Sequence, residues 1–212
     1  MSGPDAPPAG LSVNRIEALS DGVFAIAMTL LVLELHVPDV SSAETGLLTA
    51  SLLAMWPKFV SFGLGFVLLG SLWVGQHYQF HYVRRTDRPL LWLQLALLLV
   101  CSLVPFGVAL LGRYWASPVV TAIYGALLIA SGICLLGSWT YATHGHRLVA
   151  PSLPSSAIDA LRVRIVIGLV GYSIGFGLSF FAPSASIAVY AIMPLLYLVP
   201  SRIDRHVAAP SS

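Results

Sequence analysis

The sequence predicts an all-α membrane protein of six transmembrane helices. Composition is the first reason: of 212 residues, 57% are hydrophobic and 9% charged, where an ordinary soluble domain carries about 25% charged residues. A chain this short cannot hide so much apolar surface from water, so lipid is the expected solvent. Length is the second reason, because the apolar residues gather into runs close to the ~20 that cross a ~30 Å hydrocarbon core. The third is the placing of the cations, which favours one side of the membrane as the positive-inside rule requires.

Residues 1–11 hold neither a basic nor an apolar leader segment and are expected to form a disordered tail, not a cleaved signal. A six-helix transmembrane domain is expected over 12–201. Helix one should run from Val13 to Leu35, capped by Ser12 or Asn14 and followed by Pro38. The next loop contains Asp39 and Glu44 and no lysine or arginine, and Leu47 to Met55 reads as a short interfacial helix. Trp56-Pro57-Lys58 combines an interface anchor with a helix start. Helix two is expected over 57–80. Its Gly63, Gly65, Gly70 and Gly75 permit close helix approach, and it ends in a polar cluster of Trp73, Gln76, His77 and Tyr78. The basic loop from Arg84 to Pro89 leads into helix three, over 89–112, with Gln94 near its start. Helix four is expected over 118–141, and helix five over 157–181 with Asp159, Arg162 and Arg164 in its first turns. Helix six, over 183–199, is interrupted by Pro194, and 202–212 form a C-terminal tail. Cys101 and Cys134 lie inside apolar runs and are expected as packed thiols.

With these spans, Arg15, Arg84, Arg85, Arg88, Arg147, Arg162, Arg164, Arg202 and Arg205 fall on one side, and only Lys58 and Arg113 on the other. Both termini are therefore expected in the cytoplasm of a multi-pass cell-membrane protein, with the loop holding Asp39 and Glu44 outside. The chain contains no convincing internal repeat.

Helix one carries the chemistry. A polar head of Arg15, Glu17, Ser20 and Asp21 runs into an apolar stretch closed by Glu34. Charges at the lip of a membrane helix are expensive in lipid and need protein or water partners. Ile26, Leu30 and Leu33 share one face, extended by Gly22 and bordered by Thr29. Such a stripe either packs against other helices or forms a hydrophobic constriction that gates a pore by excluding water, and spacing alone does not separate the two. His77 and Trp73 stand at the level of the polar head, where His77 can tie to Arg15, Ser20 or Asp21. The chain has no TVGYG-type carbonyl filter, no Gly-rich phosphate loop, no row of gating arginines and no nucleophile–base set. Its histidines have no carboxylate or cysteine at ligand spacing. Neither an enzyme, a resident cofactor, a metal site nor a nucleic-acid partner is expected.

The segment Arg15-Ile-Glu-Ala-Leu19-Ser20-Asp21-Gly22-Val-Phe-Ala-Ile26 resembles the transmembrane protein 175 family of potassium channels, whose first helix begins with an Arg-x-x-x-Phe-Ser-Asp signature. Leu19 replaces the phenylalanine. The Trp73-x-x-x-His77 pair and Leu103-Val-Pro105-Phe106 follow the family pattern as well, and Gln94 stands in place of an asparagine. The resemblance implies a homotetramer embedded in membrane lipid, with the first helix of each subunit lining a central pore for K⁺. Carried onto this chain, it makes Ile26, Leu30 and Leu33 the pore constriction, with Thr29 beside them. Arg15, Ser20, Asp21, Trp73 and His77 become a polar network holding the cytoplasmic ends of the helices. Glu34 is the candidate cation-attracting group at the outer mouth. Two rival readings remain at this level. One is a small proton-coupled transporter using Arg15, Asp21 and His77 as an intramembrane polar site. The other is a structural membrane subunit without transport of its own.

Overall fold

The structure, a computed structural model, describes residues 13–39 and 45–198. The expected N-terminal tail, the Ser12 cap, Glu44, and the tail with Arg202 and Arg205 lie outside the described residues. Seven α-helices occur within them: α1 Val13–Leu30, α2 Thr45–Ala54, α3 Trp56–Tyr82, α4 Arg88–Arg113, α5 Pro118–Thr143, α6 Ser155–Leu178 and α7 Pro183–Leu198. A 3-10 turn, Leu31–Glu34, prolongs α1. Five segments are long and apolar enough to cross a membrane: α1 with its 3-10 turn, and α3 to α6. The sixth expected span corresponds to α7, which has 16 residues and contains Pro194. Most of the stretch from Leu47 to Met55, expected as a short helix, is helical as part of α2.

Proline sets three of the helix starts. Pro57, Pro89 and Pro118 each occupy the first turn, where a missing N–H costs nothing and the fixed φ is already helical. Neighbours in the chain pack together: α3 on α4, α4 on α5, α5 on α6 and α6 on α7, while α1 lies against both α3 and α4. The core between them is apolar: Leu31, Leu68, Leu97 and Leu128 are buried in one cluster with Phe24, Cys101, Tyr124 and Trp139. Both cysteines are free thiols.

Backbone groups at membrane depth must be satisfied inside the protein, and side-chain hydroxyls follow the same rule. Around α7 this yields a buried knot. Tyr190 Oη donates to the carbonyl of Thr121 at 3.3 Å and lies 3.2 Å from Ser179 Oγ. Ser186 Oγ donates to the carbonyl of Gly175 at 2.7 Å. A Cβ at Gly125 or Gly175 would collide with the Tyr190 ring, so these glycines let the ring sit between α5 and α6.

At the arginine-rich end, the α3–α4 turn is clasped to the loop after α5. Val83 pairs with Val149 in an antiparallel bridge, and the Arg84 amide donates to the carbonyl of Leu148 at 2.8 Å. Arg85 donates twice, from Nε and Nη2, to the carbonyl of Arg147. Asp87 is the hub. It caps α4 through the Leu90 amide at 3.1 Å, accepts from Tyr141 Oη at 2.7 Å, and lies 3.4 Å from Arg147 Nε. Partial burial alone would push the Asp87 carboxyl up. The Tyr141 hydroxyl, the Leu90 amide and Arg147 outweigh that and hold it below its ordinary value.

A carboxyl with a depressed folded value stabilises the fold above its ordinary pKa and loses that contribution as pH falls through the folded value. Asp87→Ala should therefore cost about 1–2 kcal/mol at neutral pH, typical of a lost cap. Its deficit relative to wild type should shrink as pH drops below the carboxyl's ordinary 3.8. Thermal melts of the purified protein across pH check both.

Candidate functional site on the first helix

The polar head of α1 and the end of α3 run antiparallel and meet rung by rung. Trp73 Nε1 donates to Asp21 Oδ1 at 2.8 Å, and four residues further along each helix His77 Nδ1 lies 3.6 Å from Glu17 Oε1. The Trp73 and His77 rings stack with centroids 5.7 Å apart. Between these rungs the contact turns inward. Gln76 Nε2 donates to Ser20 Oγ at 3.1 Å and to Gln94 Oε1 of α4 at 2.6 Å. Ser20 Oγ in turn donates to the carbonyl of Ile16 at 2.8 Å. Ser20, Gln76 and Gln94 are all at most 2% exposed, so this three-helix tie is sealed from water and lipid.

The residues expected to form a polar network therefore divide. Ser20, Asp21 and Trp73 come together as bonded partners. His77 reaches Glu17, because four-residue spacing pairs it with the carboxylate one turn before Asp21. Arg15 is exposed and has no hydrogen bond or ion pair with a described residue. Sequence reasoning missed Glu17, Gln76 and Gln94 as members. Two glutamines at membrane depth are costly unless paired, and that cost was the available signal.

Another side of α1 is apolar and open. Ile16, Ser20, Phe24, Ala27 and Leu31 face the core. Ile26, Leu30 and Leu33 are 61%, 43% and 63% exposed among the described residues, so each turns much of its side chain away from the rest of the subunit. Leu19 and Gly22 continue this open strip toward Arg15. Thr29 is exposed next to it, its Oγ1 donating back to the carbonyls of Ala25 and Ile26 at 3.0 and 2.9 Å. Beyond the strip, Glu34 lines a cavity of about 530 Å³ with His36, Lys58 and Arg113. Asp39 is exposed. One helix thus carries a buried polar tie on one face and a bare apolar strip on another, about 120° apart between Ser20 and Ile26 at 3.6 residues per turn.

Known proteins share this arrangement of chain. A family model described as the endosomal/lysosomal potassium channel TMEM175 matches residues 15–105. A protein of Streptomyces collinus named as a potassium channel is 36% identical over 207 residues, covering 93% of this chain and 98% of its own. One of Chamaesiphon minutus, also named as a potassium channel, is 35% identical over 197 residues, covering 92% and 97%. The crystal structure of a lysosomal potassium-selective channel TMEM175 homolog from Chamaesiphon minutus superposes with a TM-score of 0.78. It is 33% identical and covers 88% of this chain and 96% of the other.

Replacing Gln76 with leucine strands the Gln94 carbonyl in the core. A buried acceptor left unpaired costs about 1–3 kcal/mol. Converting Gln94 to leucine as well removes both partners and should recover part of the loss. A double-mutant cycle on thermal melts in detergent measures the coupling.

Proposed function

Because the chain belongs to the TMEM175 family of potassium channels, we propose that it is itself a potassium channel, conducting K⁺ passively through a pore lined by α1. The observation that carries this reading is the exposed strip of Ile26, Leu30 and Leu33, an apolar face that the subunit leaves uncovered while fixing the helix by its other side. Four copies arranged as a homotetramer would turn that strip into three stacked apolar rings. Rings of this kind hold water out when narrow and let hydrated ions through when widened. With no carbonyl cage to replace the hydration shell, preference for K⁺ over Na⁺ should be modest. Thr29 would offer a hydroxyl oxygen next to the rings, and Glu34 a carboxylate at the outer exit.

Six membrane spans with both termini in the cytoplasm accord with the placing of the arginines, with α7 as the short sixth span. The polar tie through Ser20, Gln76 and Gln94, flanked by Asp21–Trp73 and Glu17–His77, holds the cytoplasmic end of α1. Arg15 lies along the open side of the helix, where its partner would belong to a neighbouring copy. The family is one of ion channels and not of enzymes.

Purified protein in planar bilayers should give discrete single-channel steps under a K⁺ gradient. Ile26→Asn should raise conductance several-fold by wetting one of the apolar rings. Saturable uptake driven by a proton gradient, without steps, would favour a transporter. Unchanged conductance and gating in I26N would remove Ile26 from the constriction.

A further inference from the structure

At the end of the bundle away from the arginine-rich turns, two cations share one cavity. Gly112, near the close of α4, meets Lys58 and Ser61 of α3. A Cβ at Gly112 would collide with Ser61 Oγ and touch Lys58 Cα, so the glycine lets the two helices close. That approach brings Lys58 beside the residue after the glycine, Arg113. Both line the cavity of about 530 Å³ together with Glu34 and His36. Neither cation forms an ion pair with an acidic residue among the described residues. Arg113 Cζ stands 5.5 Å from the Tyr114 ring centroid, a cation–π contact that uses no N–H donor. Lys58 is half-buried. Two like charges held near each other repel, and an anion between them relieves the cost.

Level, shape and charge point to one occupant. Trp56 and Trp115, with ring centroids 5.2 Å apart, stand at the same end of the bundle, and tryptophan marks the membrane–water interface. The charged lining is therefore at headgroup level. From Arg113 back to Phe106 along α4, at 1.5 Å per residue, the lining descends about 10 Å toward the bilayer centre. Phe106, Ala109 and Leu110 make this deeper part apolar. A cavity charged at the interface and apolar beneath it suits an amphiphile better than a free ion. Its volume falls within the roughly 300–1,000 Å³ of small-molecule sites. A guanidinium beside an ammonium suits phosphate oxygens, the arginine offering paired N–H donors and the lysine a point charge. With His36 neutral, the two cations and Glu34 leave one net positive charge, which a phosphodiester balances.

We propose that this cavity binds a phospholipid, its phosphodiester on Lys58 and Arg113 and the start of an acyl chain over Ala109 and Phe106. Naming its leaflet as the outer one rests on the orientation proposed above; the site itself does not. Glu34, in the same lining, belongs to the 3-10 turn that ends α1. The lipid thereby links its leaflet to the end of α1 opposite the polar tie.

The test is lipid retention by native mass spectrometry, counted per subunit, after exchange into micelles supplied with dioleoylphosphatidylglycerol or dioleoylglycerol. Wild type should retain the phospholipid and not the phosphate-free diacylglycerol. Lys58→Gln and Arg113→Gln should each lower phospholipid retention about fivefold, as expected for one cation near the membrane surface. Lys58→Arg and Arg113→Lys should preserve it. Ala109→Trp, or the milder Ala109→Leu, should lower retention by filling the apolar part while leaving both charges in place. Lipid held elsewhere, as at the arginine-rich end, is common to every variant and cancels in these differences. Three results would each overturn the proposal: equal retention of the two lipids by wild type, wild-type retention in the K58Q/R113Q double variant, or undiminished retention in both Ala109 variants. If inorganic phosphate supplied alone binds wild type and not K58Q/R113Q while lipid retention is unchanged, the cations hold a free anion and the lipid is excluded. A change of oligomer mass in the Ala109 variants with retention unchanged would likewise exclude it and assign the cavity to a second copy of the chain. No current is measured, so failure here leaves the conduction reading standing, and a silent channel that still binds the lipid would separate the two in the other direction.

Discussion

The rotation of α1 about its own axis is the constraint on which the rest depends. Within a bilayer, apolar contrast does little to fix the rotation of a helix, because lipid tails are as apolar as leucine. Polar bonds must fix its azimuth. Gln76 does this from α3 by donating to Ser20, and Gln94 secures Gln76 from α4. Trp73 on Asp21 and His77 beside Glu17 add two outer rungs in the same register. Once this face is held, the strip bearing Ile26 and Leu33 has only one direction left to look.

The two ends of the bundle are built differently. The arginine-rich end is stiffened by short polar contacts: the α1–α3–α4 tie, and the Asp87 hub with its Val83–Val149 bridge. At the other end α1 winds into a 3-10 turn and meets a cavity lined by Lys58, Arg113 and Glu34. In the proposed channel, widening of the apolar rings would then be taken up beyond Leu30, where α-helical geometry has already ended, and not at the braced end.

Much of this was legible in the sequence, for identifiable reasons. Proline at 57, 89 and 118 and the long apolar runs place helix starts to within a residue or two. Spacing alone puts Ile26, Leu30 and Leu33 on one face, and the structure adds that the face is uncovered by its own subunit. The polar tie was harder to read. Ser20, Gln76 and Gln94 come from three helices, and no periodicity along one helix reveals a bond to another. His77 falls opposite Glu17 because of the antiparallel register, which the positions of Trp73 and Asp21 fix only once the helices are packed. The knot at Tyr190 and the clasp at Asp87 were invisible for the same reason: each joins segments more than 50 residues apart.

The claim that the open strip of α1 lines the conduction path is tested most directly by cysteine accessibility during recording. Cysteine placed at Ile26, Leu30 or Leu33 should be modified by a water-soluble, positively charged thiosulfonate, and single-channel current should fall. The same reagent should leave current unchanged with cysteine at Ile174, which is 56% exposed on α6. Current insensitive to modification at all three α1 positions, alongside block from Ile174, would contradict the account.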